Sequence, residues 1–165
     1  MKHNRIFISS LIILIMSMIC LVSSAAAASQ TIPFKGRIVG QFVGTPTDNP
    51  FVFDVVANAH GNGTHVGRFT KVTSDTFNIA TGEVTGTFTM TAANGDLLTG
   101  QYAGYAIPTT ASTFSWILNT NITGGTGRFA NATGDFVFEA QGEYFFSGGN
   151  IYGTYTETFN GTISY

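Results

Sequence analysis

From Ile151 to Tyr165 the chain alternates without a break. Ile151, Gly153, Tyr155, Glu157, Phe159, Gly161, Ile163 and Tyr165 share one parity, and Tyr152, Thr154, Thr156, Thr158, Asn160, Thr162 and Ser164 share the other. Successive side chains of a strand point to opposite faces, so this pattern fits a strand with one face in a core and one in water. Tyr152 is the exception on the wet face. Phe136, Phe138, Ala140, Gly142, Tyr144 and Phe146 repeat the inward set, opposite Val137, Glu139, Gln141, Glu143 and Phe145. Beyond the N-terminal segment no helical spacing of apolar residues survives without interruption by glycine or β-formers.

Turn signals separate such runs. Gly-Asn-Gly-Thr at 61–64, Ala-Asn-Gly-Asp at 93–96 and Ser-Gly-Gly-Asn at 147–150 read as hairpins, because Asn-Gly and Gly-Gly accept the positive φ of tight turns. The expected strands are 33–43, 51–60, 65–73, 77–91, 97–106, 112–123, 134–146 and 151–164, eight in all. Short connections make them an antiparallel meander. Gly36, Gly40, Gly86, Gly100, Gly104, Gly142, Gly153 and Gly161 sit at or near inward parity. Small and large inward residues in alternation let a sheet curve and close. The fold class expected is therefore all-β, a closed antiparallel eight-stranded barrel rather than a sandwich.

The N-terminus reads differently. Lys2 and Arg5 precede an uncharged apolar run from Ile6 to Val22, followed by Ser23, Ser24 and Ala25 to Ala28. A positive start, a short apolar core and a small-residue exit make a secretory signal, cleaved after Ala27 or Ala28. The rival is an uncleaved anchor, for which the run is at the short limit of a bilayer span. The domains expected are residues 1–28 as a cleaved signal peptide and 29–165 as one barrel, with the protein secreted or periplasmic and no membrane segment left after cleavage. The only cysteine, Cys20, leaves with the signal, and Ile19 before it does not suit lipid attachment. The mature chain then depends on its core rather than on disulfides. It keeps five basic residues against nine acidic ones, a net charge of −4. The absence of a basic cluster argues against a nucleic-acid partner.

Candidate chemistry is sparse. Glu157 lies between Tyr155 and Phe159 on the inward parity. A buried carboxylate is costly and its pKa rises, which suits a general acid or base, or a polar anchor in an apolar pocket. A β-bulge or a rim position is the structural alternative. Trp116, with Phe114 and Leu118, forms an apolar face of the sixth strand. With Phe138, Tyr155 and Phe159 it would line a cavity suited to a flat or fatty apolar ligand. His60 and His65 flank the 61–64 hairpin, but two histidines fall short of the three or four ligands a zinc site wants. Arg128 follows a glycine-rich turn that lacks the lysine and helix of a phosphate loop, so that turn reads as re-entry into the barrel, with Phe129 plugging one end. No metal and no cofactor is expected.

Gly124-Gly125-Thr126-Gly127-Arg128-Phe129-Ala130-Asn131-Ala132-Thr133-Gly134 resembles the glycine-rich signature before a late strand in allene oxide cyclases and dirigent proteins. His65 to Thr70, the Asn94 to Asp96 hairpin and the Gly161 to Tyr165 end extend the likeness to bacterial secreted allene-oxide-cyclase-like barrels. The resemblance implies an eight-stranded barrel with an apolar cavity, and often a homotrimer. It carries no reaction and no site residue across. Three functions stay open: a secreted barrel holding a small apolar molecule, a cyclase or isomerase using Glu157, and a non-catalytic structural or interaction protein with a packed barrel.

Overall fold

A computed structural model describes residues 30–165. The proposed signal peptide, 1–28, lies outside the described residues, and so does Cys20. Eight strands follow in order: β1 (Ile32–Pro46), β2 (Val52–Gly63), β3 (Gly67–Asn78), β4 (Glu83–Ala92), β5 (Leu97–Pro108), β6 (Thr113–Gly125), β7 (Gly134–Ser147) and β8 (Asn150–Ile163). They form a closed antiparallel barrel in sequence order, with β8 pairing back onto β1 from Ile32↔Ile163 to Gly44↔Ile151. Closure leaves no open sheet edge.

Two expected boundaries are corrected. Gly61-Asn62-Gly63 is not a turn; it continues β2 in register with β1, and the reversal falls at 64–66, where His65 takes φ 65°. Gly61 is needed for space: a Cβ there would stand 2.6 Å from the Phe69 ring. The fourth strand does not begin at 77. β3 runs on to Asn78, and the chain reverses over 79–82 before β4. Asn78 makes this turn by accepting the Ala80 N–H on its side chain, 3.0 Å, while Gly82 takes φ 78°. Neither device resembles the Asn94-Gly95 or Gly148-Gly149 pairs of two other turns.

The barrel has two unlike ends. At one, the 3-10 turn η1 (Gly127–Phe129) folds Phe129 inward until it is fully buried, beside buried Val66, Leu98, Ala132 and Ile163. Inside this end the lumen is filled by phenylalanines. Phe34 lies 4.7 Å from Phe159 and 5.3 Å from Phe136, and Phe136 lies 4.8 Å from Phe138, ring centre to ring centre. Such pairs add about 0.5–1.5 kcal/mol each beyond the area they bury.

The other end, where the turns after β1, β3, β5 and β7 gather, is open. Phe146 keeps the inward parity of β7 but is 58% exposed there, because the strand outruns the core. Outside, Phe145 stacks on Tyr152 of β8 at 5.4 Å, which accounts for the apolar residue on that strand's wet face. Glu139 and Glu143 face water, as their parity requires.

Candidate functional site

The open end is a cup of about 460 Å³. Phe42, Phe77, Phe114 and Tyr144 form much of its wall, Ile107 and Phe146 stand at its rim, and among the described residues Asp75 is the one charged side chain that lines it. Cavities of about 300–1,000 Å³ with apolar walls and few polar groups are the usual form of a small-molecule site.

Beneath the cup the lumen is polar, and β3 accounts for this. Its inward residues are Phe69, Lys71, Thr73, Asp75 and Phe77, so the two phenylalanines bracket three polar side chains. Lys71 and Thr73 are buried. Lys71 Nζ reaches across the lumen and forms an ion pair with Glu157 Oε2 of β8. The indole N–H of Trp116 donates to Glu157 Oε1 at 3.0 Å. The Lys71 ammonium also lies 3.7 Å from the centre of the Phe138 ring, close enough for a cation–π contact. Burial pushes the Glu157 carboxyl up from its ordinary range, while Lys71 and the hydrogen bonds from Lys71 and Trp116 pull it down.

Asp75 is bound differently. The Tyr102 hydroxyl donates to Oδ1, and the Thr73 hydroxyl donates to Oδ2 at 2.9 Å. Both donors are neutral. Burial raises the Asp75 carboxyl to about 6, against the pull of these two hydrogen bonds and of Lys71. The side chain lies over Gly86 of β4, where a Cβ would collide with Oδ1. Burial likewise raises the Tyr102 and Tyr155 phenols, so both hold their protons.

The candidate residues named from sequence separate into two groups. Glu157 occupies regular register opposite Ile38 and Ala140 and is 3% exposed, so it sits at neither a bulge nor the rim. Its carboxylate is committed to Lys71 and Trp116 and does not line the cup. Trp116 and Tyr155 form a layer under the cup: their rings are 4.8 Å apart, and Trp116 stacks at 4.9 Å on Phe114 of the wall. Phe138 and Phe159 lie fully buried in the filled half, 6.2 Å apart, and take no part in the cup wall. His60 is not opposite His65; it pairs with Thr70 and Val39, while His65 Nδ1 lies 3.3 Å from the Tyr165 hydroxyl. Arg128 reaches Asp96 at 3.6 Å and lies over the plugging Phe129.

Lys71 and Asp75 were not singled out as inward residues. Their signal was present in the parity shared with Phe69 and Phe77, but Val72 on the other parity blurs it. A stronger signal was the inward Glu157 itself, since a buried carboxylate asks for a cation and β3 offers one at inward parity.

No protein-family model matches the chain, and no curated protein matches it. Among solved structures it is similar to a pterocarpan synthase dirigent protein, at 14% sequence identity and a TM-score of 0.49, covering 82% of this chain and 87% of that one.

Proposed function

We propose that the protein binds one small apolar molecule in the cup, with Asp75 as the polar contact at its floor. One observation carries this reading: half of the lumen is packed with phenylalanine, while the other half is an aromatic-walled space of about 460 Å³ open to solvent. A barrel that served only as a scaffold would gain from filling that space, since unfilled volume forfeits packing. The reading includes export, with residues 1–28 removed as a signal, so that the ligand is met outside the cytoplasm. N-terminal sequencing of the exported protein tests that part and is expected to begin at Ala28 or Ser29.

Native mass spectrometry of the purified protein tests the binding. Ala106 lines the cup, so Ala106→Trp should fill it. The expected result is a retained small molecule on the natural protein that is missing from the folded variant. Equal retention by both would remove the cup as the site.

A second reading, turnover of the cyclase or isomerase type, draws support from Asp75. A carboxyl raised to about 6 at a cavity floor can take or give a proton near neutral pH. In that reading Asp75→Asn loses turnover and keeps binding. Glu157, neutralised by Lys71 and away from the cup, is the weaker acid–base candidate.

A further inference from the structure

We propose that the cup selects organic cations, an aryl- or alkyl-ammonium group entering with its charge toward Asp75; this rests on the cup being a binding site at all. The first support is the charge held inside the barrel. Lys71, Asp75 and Glu157 are the ionisable groups of opposite sign that share the lumen, and Lys71 is paired with Glu157. The other described basic residues, Lys35, Arg37, Arg68 and Arg128, are exposed. With Lys71 and Glu157 ion-paired, ionised Asp75 leaves the lumen, among the described residues, with one negative charge that has no cation of its own and is held by the hydroxyls of Tyr102 and Thr73. Each Asp75 oxygen has a further lone pair, and Asp75 borders the cup.

The second support is the wall. Phe42 and Phe114 lie 5.7 Å apart, Phe114 and Tyr144 6.2 Å, and Tyr144 and Phe146 5.9 Å, all bordering one cavity. Ring faces attract cations, and a cluster of them around a carboxylate is the usual recognition chemistry for ammonium groups. The same floor disfavours a carboxylate ligand, because two carboxylates at one site cannot both stay ionised without cost.

Groups from every side face Asp75: Lys71 and Thr73 on its own strand, Gly86 on β4, Tyr102 on β5, and Glu157 with Tyr155 on β8. Acidification protonates Asp75, whose carboxyl burial raises to about 6. That removes the negative charge bordering the cup, so the preference should be strong above about pH 7 and lost toward about pH 4.5.

The test uses three matched probes, phenethylamine, phenethyl alcohol and phenylacetate, titrated against the fluorescence of Trp116, the single tryptophan of the chain. At about pH 8 the amine should bind roughly tenfold tighter than the alcohol, and phenylacetate weakest. The amine preference should vanish at about pH 4.5 and in Asp75→Asn at either pH. The acid arm on the natural protein keeps the test decisive if the variant folds poorly. Equal affinity for amine and alcohol at the higher pH overturns cation selection and leaves binding in the cup standing. Failure of all three probes to bind overturns both.

Discussion

Lys71 on β3 and Glu157 on β8 form an ion pair across the lumen, although two strands, β1 and β2, stand between theirs in the barrel wall. The contact joins opposite sides of the sheet where ladder hydrogen bonds cannot. A buried pair adds little net stability over an apolar replacement, but breaking it leaves a charge unmatched.

Glu157→Gln and Lys71→Met should therefore each destabilise the fold by about 3–5 kcal/mol, while the double variant recovers most of the loss. Urea unfolding of the four proteins gives the coupling energy directly. Additive losses would show that the two side chains act independently. Such losses would also explain any failure of Glu157→Gln to bind ligand as a failure of the fold.

Asp75 makes stability depend on pH. Its carboxyl titrates at about 6 in the fold against an ordinary 3.8. Between those values the native protein holds a proton that the unfolded chain has released, so this group's contribution falls as pH rises through the window and stays low above it. Asp75→Asn keeps an acceptor for Tyr102 and carries no charge. It should melt above the natural protein at about pH 8, by up to roughly 2–3 kcal/mol before allowing for the partial solvent exposure of the site, and the gap should close near pH 4. A gap of the same size at both ends of the range would contradict the assignment.

The Tyr102 hydroxyl is the stronger of the two bonds holding Asp75 down. Tyr102→Phe should move the Asp75 midpoint above about 6, as read by carboxyl-carbon NMR across a pH series. A midpoint that fell would mean that the phenol donates elsewhere.

Two glycines of β1 should respond unequally to the same change. A Cβ on Gly36 would stand 2.5 Å from the Phe159 ring, whereas one on Gly44 would meet Val55 at 3.3 Å. Gly36→Ala should cost about 1–3 kcal/mol through overpacking, and Gly44→Ala under about 1 kcal/mol. Thermal melts of both, with comparable losses as the adverse result, check whether the filled end is as tight as its rings suggest.

The barrel was legible because its cause is local. Parity along β7 and β8 set inside from outside, and inward glycines such as Gly36 and Gly153 marked a sheet able to curve and close. Two boundaries differ for separate reasons: Asn78 caps its own reversal with a side chain, and Gly61 and Gly63, although they flank an asparagine, serve packing rather than bending. The site was half legible. Glu157 stood out because a charge among aromatics breaks a clear pattern, and that placed it correctly inside. Its partner could not be read from β8, since Lys71 lies 86 positions away and meets it only through closure of the sheet. Asp75 gives no comparable signal, for a similar reason: what makes it unusual is the cup above it, and no single strand records a cup.

Phe129 is fully buried at one end of the barrel, under the turn that carries it. Among the described residues the cup is the open end of the lumen, and on the proposed reading a bound molecule would leave by the route it entered. A second molecule cannot push the first through, so exchange requires vacancy, and a competitor in excess should not hasten departure of the occupant. Exchange at the proposed site would then be governed by how long that mouth stays clear.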